Sequence, residues 1–330
     1  MKHDHPTHYR NIKINKLPQS EVEITGEIEA KAFEEYVAQA LAFLKSNIEV
    51  EGFRKGKVPE AMVMKKVGER GLLDEAAEMA LQHEYGHIVT EHELGVIGRP
   101  SIEITSIARK KPLEFKIKVA VFPEVTLPDH KKIARKEAVP KTDISVSDKE
   151  VDDMLENFKK ADEKLAEKIS KEADLTDLKI KIKDNLLKEK ESRESEKRRI
   201  AIGKALVGVT TIELPAVLIE GEMKKMLAQF KGHIESIQGA TYEQYLKEAR
   251  KTEEDLKKDW KKDAEDRVAL QIILNKIGQI EKILPSEEEI EAEIISIMSH
   301  YKNADKDHVR AYVETILGNE KVFEFLETLK

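Results

Sequence analysis

Eight of the ten prolines of this 330-residue chain lie at or before Pro140, and only Pro215 and Pro285 follow. Proline removes a backbone donor and clashes with the preceding helical turn, so it ends or kinks a helix. A chain punctuated in this way cannot be one helical body. Its first part must consist of short elements joined by turns, while its remainder is free to run in long helices. The length accommodates two or three domains. Charged residues at 37% and aromatics at 5% fit much helix and an extensive solvated surface.

Within the proline-rich part, Val22, Ile24 and Ile28 alternate with Glu21, Glu23, Glu27 and Glu29. This period of two predicts a half-buried strand, with Ile12 to Leu17 as its partner. Phe33, Val37, Leu41, Leu44 and Ile48 then recur at helical spacing and predict an amphipathic helix ending near Val50. A short helix follows Pro59, which can occupy a first turn, and a longer one runs from about Leu72 to Glu91. Ser101 to Ile107 and Leu113 to Val121 read as two more strands. The expected fold class is therefore an α+β N-terminal domain, an antiparallel sheet with packed helices, over residues 1–122.

Residues 123–146, which hold Pro123, Pro128, Pro140 and the basic stretch Lys131 to Lys136, are expected to form an extended linker. Residues 147–330 then form a mainly α-helical, extended C-terminal domain with arms. One helix carries Val151, Leu155 and Phe158 and runs through Lys164, Leu165 and Ile169; the next starts near Asp174. That second helix includes Lys188 to Arg199, twelve positions without an apolar side chain, and is expected to project into solvent. Pro215 opens a helix bearing Ile219, Met223, Met226, Phe230 and Ile234. A single long helix is expected from Thr241 to Lys282, and Ser286 with Glu289 forms a capping box for the one after it.

The chemistry concentrates in Gly52-Phe53-Arg54-Lys55-Gly56-Lys57-Val58-Pro59, between two helical patterns. An exposed aromatic flanked by charges gains nothing for folding, so such a tip points to contact with another molecule. Arg and Lys engage phosphate oxygens, and a ring can stack on a base or fill an apolar pocket. From Arg54 to Lys66 there are five cations and one acid, Glu60, in a chain of net charge −7. Any polyanion contact is therefore local. The bland reading is a basic helix connection with Phe53 folded back on the core. There is no cysteine, which excludes disulfides and thiolate chemistry. The N-terminal segment has no apolar signal-like region and no run is long enough to span a bilayer, so the cytoplasm is the expected compartment.

With these features in order, the chain resembles the trigger factor family of bacterial ribosome-associated chaperones. The resemblance is carried by the Gly52 to Pro59 loop, by Val121-Phe122-Pro123-Glu124-Val125, and by Ile212-Glu213-Leu214-Pro215-Ala216-Val217-Leu218-Ile219. It implies that Phe53, Arg54 and Lys55, supported by Gly52, Gly56, Lys57 and Pro59, contact the large ribosomal subunit at the tunnel exit, on a ribosomal protein and adjacent RNA. It implies a helical cradle for unfolded nascent chains that uses no nucleotide and no other cofactor, and self-association through the N-terminal domain. The family usually carries a prolyl isomerase domain between the first arm helix and the rest of the helical domain. Such a domain needs on the order of a hundred residues, and only a turn is available here between Ile169 and Asp174. No isomerase activity and no catalytic residue are expected.

Two other readings compete. His83-Glu84-Tyr85-Gly86-His87 satisfies H-E-x-x-H, which on a helix suits a zinc metalloprotease with Glu84 as general base. A helical scaffold or adaptor is the other. Met223, Met226 and Phe230 offer an adaptable apolar face to clients, while the same spacing equally describes a buried core.

Overall fold

A computed structural model of the chain describes residues 8–329 apart from 52, 55, 138–143, 162–171, 238, 240, 302 and 303. Two compact units emerge. One combines residues 1–124 with 212–264; the other combines 125–211 with 265–330.

The first unit is built on a four-stranded antiparallel sheet of β1 (Tyr9–Leu17), β2 (Glu21–Ile28), β3 (Val96–Ser106) and β4 (Leu113–Val121), in the order β1-β2-β4-β3. The β1–β2 hairpin closes through Gln19 and Ser20, both with positive φ. Such a turn matches the twist of the strands it joins. The central register sets Ile24 opposite Ile117, Gly26 opposite Phe115 and Ile28 opposite Leu113. Val22, Ile24, Ile28, Leu113, Phe115, Ile117 and Val119 thus share one buried face, as the period of two requires.

Helices α1 (Ala30–Asn47) and α2 (Glu60–Glu91) contribute to the same core. Phe33, Val37 and Ala40 of α1 are buried, as are Leu72, Ala76, Ala77, Ala80 and Leu81 of α2. The short and long helices expected after Pro59 are both present within α2, separated by Gly68, whose φ of 76° no helix interior can hold.

Also in this unit are α6 (Ala216–Ser236), α7 (Tyr242–Ala249) and the first turns of α8 (Glu253–Glu281). Glu213, just before α6, holds the β1–β2 turn: its carboxylate accepts from the Gln19 N–H at 3.1 Å and its carbonyl from the Ser20 hydroxyl at 2.6 Å. The single helix expected from Thr241 to Lys282 is instead two. Arg250 takes a left-handed φ of 53° and ends α7. Thr252 and Asp255 then cap α8 reciprocally, Asp255 N–H to the Thr252 hydroxyl at 3.2 Å and Thr252 N–H to the Asp255 carboxylate at 3.0 Å.

The second unit holds α3 (His130–Glu137), α4 (Asp148–Ala161), α5 (Glu172–Val209), the rest of α8, α9 (Glu287–His300) and α10 (Lys306–Thr328). The stretch from Pro123 was expected to be extended throughout, yet residues 130–137 are helical. Asp129 accepts from the Lys132 N–H at 3.0 Å, and His130 and Ala134 are buried. Burial of one face stabilises what propensity alone would leave unfolded. The turn expected between Ile169 and Asp174 lies outside the described residues.

Val151 and Leu155 of α4 pack with Ile182 of α5. None of the residues from Lys188 to Arg199 is buried, but this stretch is not free in solvent. Arg199 reaches Glu320 at 2.8 Å and Glu327 at 3.1 Å, and the Ser195 hydroxyl donates to Glu327 at 2.7 Å. Ion pairs to α10 replace apolar packing there.

Ile290 and Ile294 of α9 pack on Val309 and Val313 of α10. The capping box is formed: Glu289 N–H reaches the Ser286 hydroxyl and the Glu289 carboxylate accepts from the Ser286 N–H at 2.7 Å. The Lys321 ammonium foremost, and then the Ser286 donors, hold the Glu289 carboxyl down at about 2. A depressed carboxylate pKa contributes stability above its ordinary value of 4.5, and that contribution is lost as pH falls from 4.5 toward 2. Thermal melts should therefore separate wild type from Glu289→Gln at neutral pH, and the gap should close as pH falls through that window. A gap independent of pH would contradict the assignment.

Candidate functional site

The loop between α1 and α2 is closed from both ends. Ile48 N–H donates to Leu44 O at 2.8 Å as α1 stops, and Phe53 N–H donates to Val50 O at 3.1 Å. Lys57 N–H then reaches back to Arg54 O at 2.9 Å, with Gly56 at φ 81° in the third position of that turn. A positive φ at this position is what glycine supplies without steric cost. Val58 is fully buried and anchors the loop's return, Pro59 caps α2, and the Lys66 ammonium bonds the carbonyl of Glu49.

The turn displays its chemistry outward. Phe53 is 42% exposed, so the ring is not folded onto the core. Arg54 and Lys57 are exposed beside it, and Lys45, Lys65 and Lys66 are exposed on the two flanking helices. Gly52 and Lys55 lie outside the described residues. Sequence reasoning missed Val58 and Lys66 as the parts that fix the tip. The signal for Val58 was its place as the one aliphatic residue of the loop.

The H-E-x-x-H residues are on α2, but they differ in burial and in partners. Glu84 is 2% exposed and points into the unit, where the Tyr36 hydroxyl of α1 donates to it at 2.9 Å. Nδ1 of His8 and Nδ1 of His83 each lie 3.3 Å from the same oxygen. Burial, and then the Glu84 carboxylate, push the Tyr36 hydroxyl pKa well above its ordinary value. His83 is exposed, with its Nδ1 also 3.0 Å from the Tyr36 hydroxyl, and the half-buried His87 ring lies with its centroid 5.1 Å from that of His83. Among the described residues no three His, Asp or Glu side chains are placed to hold a metal. Glu84 has a structural task as the partner of Tyr36, linking α1 to α2.

On α6, Met223 and Met226 are buried against Ala264 and Trp260. Phe230 is half-buried and edge-on to Tyr245 at 5.0 Å and to Trp260 at 5.1 Å. Of the three, only Phe230 retains appreciable accessible surface.

Comparison with known proteins bears on the whole chain. The family model described as bacterial trigger factor protein matches residues 10–158, and that of the trigger factor C-terminus matches residues 174–326. The chain belongs to the trigger factor family. Its function class is accordingly that of a ribosome-associated chaperone. Trigger factor of Agathobacter rectalis is 33% identical over 147 residues, 44% of this chain and 32% of that protein. Trigger factor of Moorella thermoacetica is 23% identical over 399 residues, covering 90% of this chain and 88% of that protein. A solved trigger factor chaperone, described for promiscuous substrate recognition in folding and assembly, superposes with a TM-score of 0.58 at 14% identity. It covers 97% of this chain and 100% of that one, which establishes a shared fold. Only residues 159–173 separate the two matched family segments. No helix among the described residues is long and apolar enough to cross a membrane.

Proposed function

We propose that this chain docks through the 52–59 loop at the ribosomal tunnel exit, on a ribosomal protein and adjacent large-subunit RNA, and shelters unfolded nascent chains without nucleotide. The observation that carries this reading is the tip itself: an exposed ring beside exposed cations, on a turn fixed by Gly56 and Val58, in a chain of net charge −7. Phe53 supplies apolar area, Arg54 and Lys55 supply charge-assisted contacts, and Gly52, Gly56, Lys57 and Pro59 shape the loop. In this reading residues 1–122 form the ribosome-binding domain, 123–146 the connection and 147–330 the client domain. Work at ribosomes places the chain in the cytoplasm, and family likeness adds self-association through the N-terminal domain.

Client contact falls on Phe230, the ring that Tyr242, Tyr245 and Trp260 all meet edge-on, with Met223 and Met226 of the same helix buried against Trp260. An apolar surface of this kind binds unfolded segments and releases them as folding removes their exposed area. No prolyl isomerase activity is expected of this chain. The match to the Moorella protein extends over 399 residues, more than the 330 present here, so that relative has additional chain to house such a domain.

The test pairs two measurements on the intact chain. It should co-sediment with ribosomes and suppress aggregation of unrelated unfolded proteins, and it should leave proline-limited refolding unaccelerated when present in catalytic amounts. Failure to co-sediment would remove the docking reading. Catalysed refolding would show an isomerase site elsewhere in the chain.

A further inference from the structure

The basic stretch at Lys131 to Lys136 has a place in the fold that the docking loop does not explain. Helix α3 buries His130 and Ala134 and half-buries Ile133, so its inner side is defined. Lys132, Arg135 and Lys136 are all exposed, and positions i, i+3 and i+4 share one face of a helix. Two of the nearby acids are committed elsewhere. Asp129 caps the helix through the Lys132 N–H, and Glu281 is taken by His130 at 3.0 Å and Lys131 at 2.8 Å. Glu137 ends the helix half-buried. Among the described residues, none of the three outward cations pairs with a carboxylate.

Three like charges stacked on one helix face repel one another, and an acidic chain has ample carboxylates with which to neutralise them. Here they are left open. The face carries no apolar or aromatic side chain, which is unlike the centre of a protein interface and unlike a membrane-inserting helix. It is suited to a ligand of repeated single charges, with the Arg135 fork and two lysine ammonium groups each meeting a phosphate oxygen.

We propose that the Lys132–Arg135–Lys136 face of α3 is a second, sequence-independent contact for RNA phosphates. The inference rests on the docking reading for its choice of RNA over other polyanions. Without aromatic groups to stack on bases, the contact adds affinity and salt dependence but no sequence preference.

The probe is an RNA duplex of about 20 base pairs, titrated with the full chain over a range of salt concentrations. Each phosphate contact contributes roughly 0.7–0.9 to the slope of log affinity against log salt. Replacing the three residues together (Lys132→Gln, Arg135→Gln, Lys136→Gln) should lower that slope by about two and weaken duplex binding about tenfold or more at low salt. Arg135→Gln alone should lower it by about one, with an unchanged melt as the folding control. The loop variant Phe53→Ala/Arg54→Ala/Lys55→Ala should retain the α3 share of the slope. An unchanged slope in the triple variant overturns the proposal. So does a loss of binding to anionic lipid vesicles or to polyglutamate with RNA binding intact. Ribosome co-sedimentation of the wild type is run beside it: its failure would sink the docking reading, while the duplex titration reads the α3 face by itself.

Discussion

Phe53→Ala combined with Arg54→Ala and Lys55→Ala is expected to reduce ribosome co-sedimentation to background while leaving the fold intact. Burial of a ring of this size at a partner surface contributes about 1.5–3 kcal/mol. A charge-assisted hydrogen bond lost at each cation adds about 1.5–3 kcal/mol. The sum is on the order of 5 kcal/mol, and each 1.4 kcal/mol is tenfold in affinity, so the loss should exceed a hundredfold even after generous discounting. Stability should barely move. Phe53 and Arg54 are exposed, neither belongs to a core, and exposed substitutions usually stay within about 0.5 kcal/mol. The parts that shape the loop, Val58 and the Gly56 turn, are untouched. Undiminished co-sedimentation of this variant would show that the tip is not the docking element.

How much of this was legible in the sequence varies with the range of the forces involved. The strands were legible because Val22, Ile24 and Ile28, and likewise Leu113 to Val121, face one core with a period that local sequence displays directly. The loop was legible as an exposed tip because its residue types have no use inside a protein. The fixing of the tip was not, since Val58 is a single aliphatic among charges and the bond from Lys66 to the carbonyl of Glu49 spans seventeen positions.

Helix α3 escaped notice because its inner face amounts to His130, Ile133 and Ala134, too few positions to establish a period beside Pro128. The break at Arg250 has neither Pro nor Gly to announce it. The usable signal was Thr252 with Asp255, a cap pattern that is also common inside helices. The H-E-x-x-H residues show the opposite error, a local pattern suggesting chemistry that tertiary structure had already assigned elsewhere. Glu84 is turned inward toward Tyr36, 48 positions away, and nothing adjacent to it in sequence says so. For Met223 and Met226 the spacing was plain, but their partners Ala264 and Trp260 lie on a helix whose start was misplaced.

Phe115→Ala should separate loss of the fold from loss of the docking tip. Phe115 is 2% exposed on β4, a central strand, with Gly26 opposite it on β2 and Ile104 opposite on β3. Truncating a buried phenylalanine costs about 3–5 kcal/mol, more where neighbours cannot close the void. Gly26 has no side chain to move into the space, but the Ile12 side chain lies over Gly26 beside the ring and can fill part of it, which places this position near the middle of that range. Set against a total of about 5–15 kcal/mol for a domain, the loss is a large fraction of what holds the sheet to α1 and α2. The melting temperature of the N-terminal unit should fall by roughly 8–16 °C, and Phe115→Leu, which keeps much of the volume, should fall between. Because α1 and α2 present the loop, docking should then decline with temperature as the unit unfolds, and recover on cooling. The loop variant should instead fail to dock at every temperature with an unshifted melt. A Phe115→Ala protein that melts with wild type would mean that the ring does not sit in the core described here.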